Sequence, residues 1–178
     1  MIKINCIKLI AFFSLVFINS IVIAGTDNIA NRAKATASTA LSEKFIASHI
    51  TDGIIGINGK GEWACEGATT DWGYVRFPWV QLDWKEPQAV NKIILYDRPS
   101  MNEHIASGKL LFSDSSIIWV NEIRNDGTAK VIRFDARHIK WVRFITTDGE
   151  GKDLVFLRLK CFQQQLTVRI MFPGLTHT

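Results

Sequence analysis

Helical periodicity is almost absent from this 178-residue sequence. Apolar residues seldom recur at spacings of three and four, so the chain is not built mainly from helices. Cysteine is scarce as well: Cys6, Cys65 and Cys161 are the three present, and none forms a CxxC pair. That spacing excludes a recognisable zinc site. There is no GxSxG, no HExxH and no phosphate-cradling glycine loop, so no catalytic motif organises the four histidines and the carboxylates. Lysine and arginine form no run, and nucleic acid is not an expected partner. Internal repeats and low-complexity tracts are missing too.

The one long apolar run lies at the start. Lys3 and Lys8 give a short positive beginning, and Leu9 to Ile23 is apolar except for Ser14, Asn19 and Ser20. Val22-Ile23-Ala24 is small enough for cleavage before Gly25. The run is short for a membrane span, which takes about 20 apolar residues. Residues 1–24 are therefore expected to be a signal peptide. The expected destination is the periplasm, the cell surface or the exterior, with no transmembrane anchor. Removing 24 residues leaves 154, the size of one domain with a single core. The formal charge of +4 falls by the two charges of Lys3 and Lys8, so the basic balance of the whole chain carries little information. In an exported protein Cys65 and Cys161 have two readings: a disulfide, or two separate buried thiols.

The rest of the chain has period two. Trp79–Trp84, Val90–Tyr96, Lys109–Phe112, Ile117–Ile123, Lys130–Phe134, Ile139–Thr146 and Leu154–Phe162 read as strands. Pro87 helps bound the first gap, and Ser113–Ser116, Asn125–Gly127 and Asp148–Gly151 mark turns. Alternation places Val142 and Phe144 on one face, and likewise Val155, Leu157, Leu159 and Cys161. Strands about ten residues apart, with turns between them, predict an all-β antiparallel sandwich or jelly roll. Asn28–Ser38 is expected to be extended, and Ala47–Gly53 to be a helical turn stopped by glycine. The domain is expected over residues 25–162. Residues 163–178 form a tail, either an extra strand or disordered.

Several short motifs follow one another in order: NIANRAKATAS (Asn28–Ser38), ITDG (Ile50–Gly53), GEWAC (Gly61–Cys65), WVQLDW (Trp79–Trp84), KIILYDRP (Lys92–Pro99), LLFSD (Leu110–Asp114) and WVRF (Trp141–Phe144). This series resembles the discoidin, or coagulation factor 5/8 type C, superfamily. It is nearest to uncharacterised bacterial secreted domains similar to family 32 carbohydrate-binding modules. The resemblance implies a galactose-binding-like jelly roll and ligand contact through loops at one end. It also implies a structural calcium, with Asp52 as its candidate ligand. In this chain Arg158 stands where the relatives' late glutamate would be, and a cation suits calcium badly. Asp52 has a second reading, as a turn residue bonded to its own backbone.

The chemistry concentrates in ILYDRPSMNEH, Ile94–His104. Sugar recognition needs planar, bidentate hydrogen bonders beside an apolar face. Arg98 offers a rigid fork of donors, and Asn102 offers a donor and an acceptor. Glu103 accepts, His104 can do either, and Asp97 is a further candidate contact. Pro99 holds Arg98 extended. The plainer reading is that Asp97 and Arg98 pair with neighbours and fix the loop. Trp72 and Tyr74, in TTDWGY, are the candidate stacking platform, while Trp63 and Trp141 read as packing residues. The expected function is non-catalytic carbohydrate binding to a glycan or glycoconjugate. The alternative is adhesion, protein interaction or phospholipid binding through apolar loop residues such as Ile54, Ile55 or Met101. A third reading is a piece of a larger architecture.

Overall fold

A computed structural model describes residues 27–54, 61–66, 77–100, 102–150, 153–156 and 158–162. Eight antiparallel strands carry the chain: β1 (Lys34–Ala37), β2 (Trp63–Glu66), β3 (Trp79–Tyr96), β4 (His104–Phe112), β5 (Ile117–Val120), β6 (Ala129–Glu150), β7 (Asp153–Phe156) and β8 (Arg158–Phe162). Two 3-10 turns, Ile29–Arg32 and Ala47–Thr51, are the described helical elements. The larger sheet runs β1-β3-β6-β4-β5, with β8 also paired to β3, and β2 and β7 form a second sheet. One buried cluster joins the two sheets. It includes Trp63 and Cys65 of β2, Leu82 and Leu95 of β3, Phe112 of β4 and Phe144 of β6.

Alternation explains which faces meet in that cluster. Val142 and Phe144 are fully buried, as are Leu159 and Cys161, in keeping with the shared faces expected from the sequence. The strand limits differ from that expectation in several places: Lys130–Phe134 and Ile139–Thr146 merge into β6, which runs through the expected turn at Asp148 to Glu150, β4 begins at His104, and β5 stops at Val120. Trp79–Trp84 and Val90–Tyr96 are one strand, not two. Its ladder to β6 breaks between Asp83 and Gln88, where Lys85, Glu86 and Pro87 are exposed. Proline has no N–H to give a ladder, so the pairing lapses while the backbone stays extended. Conversely, the single strand expected over Leu154–Phe162 divides. β7 pairs with β2 and β8 pairs with β3, so the chain changes sheets between them.

The ends of the domain are tied by side chains. Asn28 caps the first 3-10 turn, its Oδ1 accepting from the Ala30 N–H at 3.3 Å. The same oxygen accepts from the Cys161 N–H in β8 at 3.2 Å. Trp84 Nε1 donates to the Ile29 carbonyl at 2.9 Å inside the core. The segment expected to be extended is therefore turned at 29–32 and extended only from Lys34. The expected turn at 47–53 is present as the second 3-10 turn, and Gly53 follows with φ of 88°. Cys65 and Cys161 are both buried, and no disulfide joins them. Of the two readings of this pair, separate thiols is the one observed, and burial pushes the Cys161 thiol far above its ordinary range.

Gly108 marks the closest approach inside the larger sheet. A Cβ there would lie 2.4 Å from Phe144 Cζ and 2.6 Å from the Ile145 carbonyl oxygen. The Phe144 ring is fully buried and the carbonyl belongs to the β6 ladder, so neither can withdraw cheaply. Gly108→Ala is expected to cost about 1–3 kcal/mol of stability through overpacking. Urea unfolding would read it as a lower midpoint; an unchanged midpoint would show that Phe144 can move aside.

Candidate functional site

The site grows out of a change of parity in β3. Val80, Leu82, Trp84 and Val90 point inward at even positions. The register to β6 then shifts between Val90 and Lys92. Beyond the shift the inward residues are odd: Ile93, Leu95 and, just past the strand, Asp97. A register irregularity of this kind re-aims every side chain after it. Asp97 is 0% exposed. This corrects the expectation that Asp97 contacts a ligand: it has no surface to offer one. Its Oδ2 accepts from the Ile105 N–H at 2.8 Å and so fixes the start of β4 to the end of β3.

The loop between those strands is braced from several sides. The Arg98 guanidinium pairs with the Glu103 carboxylate. Ser100 Oγ accepts from the N–H groups of Asn102, at 3.3 Å, and Glu103, at 3.2 Å. Asn125 Nδ2 reaches from the turn before β6 to the Ser100 carbonyl at 3.0 Å. Pro99 lies against Gly127 of the same turn, whose φ is 77°. Sequence reading did not single out Ser100 or Asn125. The signal for Ser100 was present: Ser100-Met101-Asn102-Glu103 has the Ser-x-x-Glu spacing with which serine accepts from the N–H three residues on. Asn125 carried only a turn signal, and its partner lies 25 positions away.

Arg98, Asn102 and His104 therefore share one rim. Asn102 is exposed, and Arg98 and His104 are half-buried. Asp97 Oδ1, Arg98 Nε and His104 Nδ1 are buried and have no hydrogen-bond partner among the described residues. Unmet polar atoms are uncommon in folded proteins, and three in one loop mark a place where hydrogen-bonding capacity is left over. Both readings of Arg98 meet here, since it braces Glu103 and still has donors to spare. The arrangement offers planar donors and an amide. Its two carboxylates are committed, Asp97 to the Ile105 N–H and Glu103 to Arg98. Trp72 and Tyr74 lie outside the described residues.

Asp52 is elsewhere, at the end of the second 3-10 turn. Its Oδ1 accepts from the Ile54 N–H at 2.7 Å, the turn role weighed for it above. Among the described residues no three His, Cys, Asp or Glu side chains gather to hold a metal ion.

Comparison with known proteins agrees with this architecture. The model of a family described as "Domain of unknown function (DUF7402)" matches residues 28–153. No curated protein matches the chain. Among solved structures, the family 32 carbohydrate-binding module of Clostridium perfringens NanJ, in complex with galactose, superposes with a TM-score of 0.60 at 16% identity. It covers 78% of this chain and 98% of its own. Chitosan-binding module 1 from a chitosanase/glucanase of Paenibacillus sp. IK-5 gives 0.58 at 22% identity, covering 76% and 98%. A Streptococcus pneumoniae fucose-binding module gives 0.61 at 15% identity, covering 79% and 97%. The fold is the galactose-binding-like β-sandwich that the motif order implied.

The buried carboxylate sets a pH dependence. Burial pushes Asp97 up to about 7, against the pull of the Ile105 and Arg98 N–H groups and the Arg98 charge. A carboxyl raised above its unfolded value stabilises the fold fully below about pH 4 and loses that contribution as pH rises through 7. Asp97→Asn keeps an acceptor for the Ile105 N–H and has nothing to ionise. Relative to the wild type, the variant should therefore gain stability between pH 4.5 and 8, by about 3 kcal/mol. Urea titrations of both proteins at the two pH values test this, and parallel profiles would refute it.

Proposed function

The chain belongs to the DUF7402 family of domains of unknown function, and from the geometry of its rim we propose that it is a non-catalytic carbohydrate-binding module. The observation that carries this reading is the cluster at the end of β3. A braced loop there presents the partly exposed Arg98 and His104 beside the exposed Asn102. Sugars expose adjacent hydroxyls, which planar side chains hold in pairs. A pre-formed loop spends less ordering entropy on binding. The similar solved modules, described as bound to galactose or as chitosan- or fucose-binding, support the choice of ligand class.

In this reading Arg98 grips vicinal hydroxyls while its pairing with Glu103 holds it in place. Asn102 and His104 add directional bonds. Asp97 acts through Ile105 and Arg98 as a positioning residue. Trp72 and Tyr74 supply the stacking face. A single sugar buries little area, so its affinity is expected to be weak. Residues 1–24 direct export and are removed before Gly25; N-terminal sequencing of exported protein should start at that glycine.

A glycan array with wild type and Arg98→Ala in parallel tests the site. Binding by the wild type is expected to fall by at least about tenfold in the variant. Circular dichroism should show both proteins folded. A folded wild type that binds no glycan would overturn the reading. It would point instead to a protein partner, with Ile54, 51% exposed, as the first apolar contact to mutate.

A further inference from the structure

A second surface lies away from the rim, on the outer face of the larger sheet. The inward face of this region is set by Val80, Leu82, Leu110, Val142 and Phe144. The alternate residues point outward. Register aligns four of them across four strands: Trp119 of β5 opposite Lys109 of β4, Lys109 opposite Ile145 of β6, and Ile145 opposite Trp79 of β3. Arg143 and Trp141 of β6 follow on the same face, two residues apart.

Aromatic rings and cations alternate on this platform. Lys109 Nζ sits 5.4 Å from the Trp119 ring centre. The Arg143 guanidinium lies 4.1 Å from the Trp79 ring and 5.9 Å from the Trp141 ring. Arg143 is also oriented by Gln81, whose Oε1 accepts from its Nε at 2.8 Å. Gln81 in turn donates to Asp83 at 2.7 Å. Trp119 is 64% exposed on the edge strand, the most exposed large apolar side chain among the described residues. Its indole has the Lys109 ammonium over it and is otherwise largely open among the described residues.

We infer that this face binds an acidic polysaccharide chain, separately from the rim site and independently of it. Indole faces stack against the C–H faces of sugar rings, while Lys109 and Arg143 pair with carboxylates or sulfates along the chain. Trp119 and Trp79 stand three strand spacings apart, about 14 Å, so the platform suits an extended oligomer and not a single sugar. Arginine and tryptophan are common in protein interfaces too, but lysine is depleted there, and a dry interface would have to desolvate the Lys109 ammonium. A glycan surface stays wet, and the cations keep their water while pairing with the ligand.

Affinity electrophoresis of the full chain in gels containing polygalacturonate tests the inference, with neutral galactan in parallel gels. Polygalacturonate should retard the wild type, and added salt should weaken the retardation. Trp119→Ala and Lys109→Ala should each weaken it about tenfold or more, while Arg98→Ala should leave it unchanged. Both platform side chains are at the surface, and thermal unfolding should show both variants folded. No retardation of a folded wild type would overturn the inference. So would retardation indifferent to both platform variants, or binding to anionic lipid vesicles without binding to polygalacturonate. Dependence of galactan binding on Arg98 alone would report the rim, so failure of one site is distinguishable from failure of the other.

Discussion

The register shift between Val90 and Lys92 governs what the end of β3 presents. Before it, even residues face the core; after it, odd residues do. Without the shift Asp97 would point to solvent and Arg98 into the apolar interior. With it, a carboxylate enters the core, where its charge is costly unless hydrogen-bonded or protonated. The Ile105 N–H supplies one bond, and burial keeps the proton near neutral pH. That buried acceptor ties the start of β4 to the end of β3. The loop between them is then short enough for Ser100 and Asn125 to close it. The bracing of the rim therefore begins upstream, within the strand itself.

This origin explains why the fold was more legible in the sequence than the site. Period-two alternation depends on local spacing alone, so the inward faces of Val142 with Phe144 and of Leu159 with Cys161 could be read directly. The orientation of Asp97 could not, because a one-residue irregularity reverses parity without altering composition. The division of the last strand was hidden for a related reason. Residues 153–156 and 158–162 continue one alternation, and only tertiary pairing reveals that they serve different sheets. Motif order fared better than either. It encodes the spacing of turns around the whole domain, and it led to a fold that solved structures at 15–22% identity share. Ligand contacts are set by loop residues that such order does not constrain.

Tryptophan illustrates the same division. Six occur in the chain, and sequence alone gives each the same apolar bulk. Trp63 and Trp84 are buried, with their Nε1 atoms donating to the carbonyls of Thr39 and Ile29. Those bonds let a polar-tipped ring enter the core. Trp79, Trp119 and Trp141 point the other way on the outer face. Only the topology shows that, among the described residues, Trp119 sits on the edge strand β5 while Trp79 lies mid-sheet.

Rim and platform also differ in how they are held. The rim depends on hydrogen bonds whose central member, Asp97, changes charge near neutrality, so its rigidity varies with pH. The platform depends on strand register and on cations placed over rings. Its electrostatic attraction is instead screened by salt. The same small domain thus carries one surface tuned by protons and one tuned by ionic strength. Because the larger sheet joins them through β3, β4 and β6, a defect in its packing, such as crowding at Gly108, would loosen both surfaces together.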